Sequence, residues 1–127
     1  MTQRNPELFL AYTAGGAIAA NRFVKFGASD RAMLQAAAAT DAIVGVSDLS
    51  AASTETVDVC VTGIFPVIYG GTVARGDLLT SDSSGRAITA APGAGVNHRI
   101  GGVAMVSGVV GDLGSVLLSP GSIQGAA

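Results

Sequence analysis

The sequence predicts a mostly β domain, a small sandwich or barrel-like fold, and three observations carry that reading. Val57, Val59 and Val61 alternate with Asp58, Cys60 and Thr62, the period of two of a half-buried strand. Turn signals built on Gly, Pro, Asn, Asp and Ser recur roughly every 8–12 residues, the rhythm of short strands in all-β proteins. The composition favours strands over a helical bundle: 30 Val, Ile and Thr stand beside 22 alanines and 18 glycines. Six Phe and Tyr, no Trp and a single lysine, Lys25, complete the picture.

The same arithmetic excludes several classes. A chain of 127 residues is one domain with a modest core. Charged residues are 13% and the net charge is −2, which offers no electrostatic footprint for DNA, RNA or an anionic membrane. Cys60 is alone, so no disulfide scaffold exists, and one cysteine with one histidine, His98, makes no zinc site. No transmembrane run of roughly 20 apolar residues survives the interruptions at Asp58, Thr62, Pro66 and Gly70-Gly71.

Taken in order, the elements begin with an apolar stretch from Leu8 to Ala20. Ala17-Ile18-Ala19 imitates a cleavage site, but Glu7, Asn5-Pro6, Tyr12, Thr13 and Gly15-Gly16 dilute any signal-peptide core. Residues 1–14 therefore read as an extended N-terminal arm, with Leu8, Phe9, Leu10 and Tyr12 as anchors for a neighbouring protein. Phe23–Phe26 and Ile43–Val46 are strands. Between them Ser29-Asp30 and the alanines Ala36 to Ala39 leave helix and strand both open, since alanine favours a helix and the flanks favour strands. Ile64 to Tyr69 continues the β character, with Pro66 marking an edge or a bulge. Leu78-Leu79 and Ala87–Thr89 form a hairpin around Asp82-Ser83-Ser84-Gly85, with Gly85 at positive φ. Ala90 to Val96 is a loop, and Ile100–Val106 and Ser115–Leu118 are the last strands. Gly45 and Gly102 signal bulges or close backbone approach, and the segments around them echo one another as two related hairpins. The β domain spans 15–121, and 122–127 is a C-terminal tail.

Candidate chemistry is thin. His98, beside Asn97 and Arg99, reads as a polar loop residue without a nucleophile or orienting partner. Ser83 and Ser84 are turn residues, not a nucleophile elbow. Cys60, between valines, is an inert small apolar group. The loop at Asp82 lacks the alternating ligands of a calcium site, and Gly93-Ala94-Gly95 has no helix behind it to hold a dinucleotide. Arg75-Gly76-Asp77 spells an adhesion tripeptide but fits ordinary turn-to-strand chemistry. No catalytic, metal or cofactor site is expected.

The chain resembles the tailed-phage capsid cement, or head decoration, family. The likeness rests on Arg22-Phe23-Val24-Lys25-Phe26-Gly27, Thr40-Asp41-Ala42-Ile43-Val44-Gly45-Val46 and Val57-Asp58-Val59. It continues through Gly63-Ile64, Arg75-Gly76-Asp77-Leu78-Leu79-Thr80 and Asp82-Ser83-Ser84-Gly85-Arg86. It ends with Arg99-Ile100-Gly101-Gly102-Val103-Ala104, Gly111-Asp112 and Val116-Leu117-Leu118-Ser119-Pro120-Gly121. It covers about residues 15–121 and leaves Met1 to Ala14 outside.

That resemblance implies a virion structural protein made in the bacterial host cytoplasm. It implies homotrimers on the outer face of an icosahedral head, bridging major capsid protein subunits, with no enzyme activity, nucleic acid or membrane partner. It also implies a short strand at Ala32–Ala36 in place of the helix. The alternatives are a small β-barrel that binds a ligand or peptide, and a secreted adhesin using Arg75-Gly76-Asp77.

Overall fold

The alternating valine run is the spine of the molecule. In the computed structural model, which describes residues 3–126, the described residues form nine strands and no helix. They are β1 (Asn5–Ala14), β2 (Phe23–Phe26), β3 (Ala32–Gln35), β4 (Ile43–Ser47), β5 (Thr56–Ile68), β6 (Leu78–Ser81), β7 (Ala87–Thr89), β8 (Asn97–Ala104) and β9 (Leu113–Gln124). β1, β3, β2, β4 and β5 pair in that order and β1 returns to β5, a partial ring of five strands. The β1–β3 contact that closes it is parallel and brief: Thr13 meets Ala32 and Ala14 meets Met33. From the far half of β5 a wing extends through β9, β8, β6 and β7. The mostly β expectation holds, and its barrel-like half takes the form of this ring.

β5 reaches both parts because its two faces are both apolar where it matters. Val57 and Val59 join Ala14, Ile18, Val24, Met33 and Ala51 in a cluster that fills the ring. Cys60, Phe65 and Val67 turn instead to a larger cluster with Phe23, Ile43, Tyr69, Leu79, Val116 and Leu118. The face of β5 opposite the valines is thus only partly polar. Asp58 and Thr62 are exposed while Cys60 is fully buried. The wing sits close on the ring because Gly101 has no side chain: a Cβ there would lie 2.6 Å from Phe23 Cε1. Tyr69 lies over Gly108 and Gly114 in the same way, and its hydroxyl donates to the Val106 carbonyl at 2.7 Å.

Pro66 lies inside β5, opposite Ser115. Its carbonyl accepts a hydrogen bond from Asn21 Nδ2 at 2.9 Å, and the Ile68 N–H donates to the Asn21 carbonyl. Residue 66 therefore points its backbone away from β9, and the N–H that proline lacks is missing from a loop-facing side. The glycines read as irregularities behave so: the β2–β4 register shifts at Val24/Lys25, facing Gly45, and the β8–β9 register shifts between Ile100 and Gly102. Both echoed hairpins, β4–β5 and β8–β9, are antiparallel.

Two sequence readings need correction, and a third, left open between helix and strand, is decided for the strand that the resemblance implied. The helix that propensity allowed at Ala32–Ala39 is absent: β3 occupies Ala32–Gln35, and a turn follows. Both neighbours, β2 and β1, require a strand to complete their ladders, and Met33 fills the ring core, so tertiary pairing overrides alanine propensity. His98 lies in β8, not in a loop, because β8 begins at Asn97. β9 runs on to Gln124, through much of the expected tail, with Ser122 opposite Arg99. The Ser119-Pro120-Gly121 sequence hid this extension, and the register shift at Ile100/Gly102 accommodates the proline.

Two side-chain devices secure the loops. Asp82 accepts from the Ser84 and Arg86 N–H groups and from Arg86 Nε, all at 2.8 Å. Ser84 in turn offers its carbonyl to Arg22 Nη1 and Gln35 Nε2, which pins the β6–β7 hairpin onto the ring. Gly85 completes the turn at φ +73°, as expected. Asp82→Ala is expected to cost about 2–3 kcal/mol, since it leaves several donors unmatched, and chemical denaturation measures it.

Asp41 is the second device. Burial alone raises its carboxyl pKa, but the Ala37 N–H at 2.8 Å, Lys25 Nζ at 3.2 Å and the Ala38 N–H at 3.0 Å hold it below the usual range. A depressed value in the folded state gives stability at neutral pH that is lost as pH falls through about 4 and below. Asp41→Asn is expected to melt lower than the parent at pH 7, and the difference is expected to shrink as the pH is taken below about 4.

Candidate docking surface

The segment 5–14, expected from sequence to be an arm outside the β domain, is a strand of the ring. β1 runs antiparallel along β5 from Asn5 opposite Ile64 to Thr13 opposite Thr56, with irregularities at Pro6/Leu8 and Leu8/Phe9. Just before it, Gln3 exchanges hydrogen bonds with Ser115 Oγ, and the Arg4 guanidinium lies 4.5 Å from the Phe65 ring centroid. Arg4 also pairs with Asp48 at 3.2 Å.

Of the four anchors named from sequence, three remain open to solvent: Leu8 at 46%, Phe9 at 37% and Leu10 at 39%. Phe9 is half committed, for its ring meets Phe65 edge-on at 5.6 Å. Tyr12 is different. It packs against the ring core.

A second apolar surface escaped the sequence reading. Residues directly paired across a sheet share a face. Leu78 pairs with Val103, Val103 with Leu117, and Leu117 with Ile64, a row of four aliphatic side chains across β6, β8, β9 and β5. All four are exposed or half-exposed, and the row carries no charge. Leu113, exposed, pairs with half-buried Ile68 farther along the same two strands. The signal was present in β9, where apolar residues occupy both phases of the alternation: Val116 and Leu118 are buried while Leu113 and Leu117 are not. Soluble monomers rarely expose contiguous apolar patches larger than a few hundred Å².

Chemical sites are not assembled elsewhere among the described residues. His98 joins Thr40, Asn97, Arg99 and Ser122 around an open groove of about 500 Å³, but its buried Nδ1 has no partner to orient the ring. Burial pushes the Cys60 thiol up despite the nearby Arg4 charge, which suits an unreactive core residue. Asp77 of the Arg75-Gly76-Asp77 turn spends its carboxylate on the Ala74 N–H and Thr89 Oγ1. No group of His, Cys, Asp and Glu among the described residues could hold a metal ion.

The sequence pattern of the phage cement protein family matches residues 2–117. The chain belongs to the phage cement protein family. The match corrects the extent read from the residues: it takes in β1 and stops at Leu117, inside β9. Among solved structures, the cement protein is similar to the N base of head fiber gp8.5 of bacteriophage phi29. The TM-score is 0.67 at 20% identity, over 88% of this chain and 93% of that one. At that identity the likeness is one of fold. None of the curated proteins matches.

Family membership makes this a structural protein associated with the phage head and capsid. The surfaces that matter in such a protein are those that adhere, and β1 and the wing row are two strong candidates.

Proposed function

We propose that this cement protein coats the outer face of an icosahedral head as trimers, each bridging neighbouring major capsid protein subunits. The observation that carries the reading is the open apolar surface: Leu8, Phe9 and Leu10 on β1, and the uncharged row Leu78–Val103–Leu117–Ile64 on the wing. Two separate adhesive surfaces are what a bridging part requires. In this reading β1, with Tyr12 holding its end to the ring, faces the capsid protein, and the wing row packs against a neighbouring copy. Scarce charge suits both, because little ion desolvation opposes contact.

A protein that binds the assembled shell but not its free parts stabilises the shell by mass action. Symmetry multiplies a modest contact over the surface, so each copy needs only an ordinary interface. Sedimentation equilibrium tests the self-association: the reading expects a species of three times the 12.5 kDa chain. Mixing with heads that lack the protein tests the rest. Saturable co-sedimentation and greater resistance of those heads to heat are expected, and a monomer that leaves the heads unchanged overturns the reading.

A further inference from the structure

The groove beside the start of β8 holds no catalytic set, yet its polar side chains are uncommitted. Thr40, Asn97, His98, Arg99 and Ser122 line about 500 Å³, a volume within the range of small-molecule sites. Among the described residues, none of these five side chains makes a hydrogen bond or ion pair within the chain. Elsewhere such groups are spent: Arg4, Lys25 and Arg86 pair with Asp48, Asp41 and Asp82. Arg99 is exposed and keeps an unpaired guanidinium. His98 Nδ1 is buried without a partner, which is uncommon for a polar atom.

The frame around these groups is fixed. Arg99 lies opposite Ser122 on β9, and residues paired directly across a sheet share a face. Asn97 stands two residues before Arg99 on β8, and so on that same face. Thr40 comes from the turn before β4, which the Arg99 N–H ties to β8 by donating to the Ala39 carbonyl at 2.7 Å. Asp41 tightens that turn. Its carboxylate accepts from the Ala37 and Ala38 N–H groups and pairs with Lys25, so it is already engaged. No carboxylate lines the groove.

We propose that this groove binds a carboxylate, carried either by a small organic acid or by an acidic side chain of another protein. The donor set selects that ligand. A guanidinium presents parallel N–H groups that match the two oxygens of a carboxylate. The hydroxyls of Thr40 and Ser122 and the Asn97 amide add neutral donors beside it. One formal positive charge balances a monoanion, whereas a phosphate group carries up to two negative charges near pH 7 and would be left unbalanced. With neither carboxylate nor thiolate on its walls, the groove offers a metal cation little.

The test titrates the whole protein at constant ionic strength and reads amide and Arg99 Nε NMR shifts. The probes are sodium acetate, a capped tripeptide with a central glutamate, acetamide and inorganic phosphate. Both carboxylates are expected to saturate at about millimolar concentration, with shifts centred on residues 40, 97–99 and 122. Acetamide and phosphate are expected to bind at least about tenfold more weakly. Arg99→Gln is expected to weaken both carboxylates at least about tenfold while the melting temperature stays within a few degrees, since Arg99 is exposed and unpaired. Arg99→Lys, which keeps the charge and loses the fork, should fall between the two.

Saturation by either carboxylate supports the site, and the tighter of the two names its source. Shifts that stay linear and unsaturated, or saturation that Arg99→Gln leaves intact, overturn it. Phosphate binding as tightly as acetate overturns the assignment to a carboxylate. The site depends on neither trimers nor heads, so its failure leaves the decoration reading untouched.

Discussion

Phe65→Ala is expected to lower the unfolding free energy by about 3–5 kcal/mol, the usual cost of emptying a buried aromatic site. Phe65 is fully buried in β5, where ring and wing share one strand. Its loss also strips support from the N-terminal segment, because Phe9 rests edge-on against the ring and the Arg4 guanidinium lies over it. The variant should therefore show a second effect: faster amide exchange along β1 under conditions where the wing remains protected. Phe65→Leu, which keeps most of the volume, should cost roughly half as much or less. Denaturant titration followed by circular dichroism measures the first effect. A loss below about 1 kcal/mol contradicts the role given to Phe65 as the joint between the two parts.

Replacing Leu8 and Leu10 together by serine is expected to lower stability by about 2–3 kcal/mol, through the half of each side chain that folding buries, and to weaken binding to heads sharply. Both side chains are already two-fifths or more open, within rounding, so folding buries only part of each. Covering the remainder on docking is worth about 1 kcal/mol per leucine at ordinary transfer values. The pair then contributes about 2 kcal/mol per copy, a factor of about thirty in affinity. In the proposed trimer the pair is presented three times over, so the loss compounds when all three copies engage the shell. Co-sedimentation across a range of protein concentration reads the change. Undiminished binding by a folded double variant assigns the docking surface to another part of the molecule.

The sequence reveals strands better than it reveals their company. β2, β4, the β6–β7 hairpin and the Gly85 turn follow from local pattern, because alternation and turn chemistry are short-range properties. The strand at Ala32–Gln35 does not follow from propensity: its reason lies in β1 and β2, which need a partner between them. The family likeness carried that information where alanine content misled. The burial of Cys60 was hidden for a related reason, since a strand between two cores looks half polar when Asp58 and Thr62 flank the cysteine.

The proposed adhesive surfaces divide in the same manner. Leu8, Phe9 and Leu10 stand out locally, as apolar residues in a segment that otherwise promised little core. Tyr12 belongs to the same run, yet pairing with Val57 draws it against the ring. The wing row cannot be read from one strand at all, since Leu78, Val103, Leu117 and Ile64 come together only through three ladder registers.

Electron microscopy of intact heads at a resolution that traces strands tests the central claim most directly. The account predicts threefold-symmetric density on the outer surface, with β1 against the capsid protein and the wing row buried between neighbouring copies. Heads that carry the protein only inside the shell, or bound as single copies with β1 facing solvent, would contradict it.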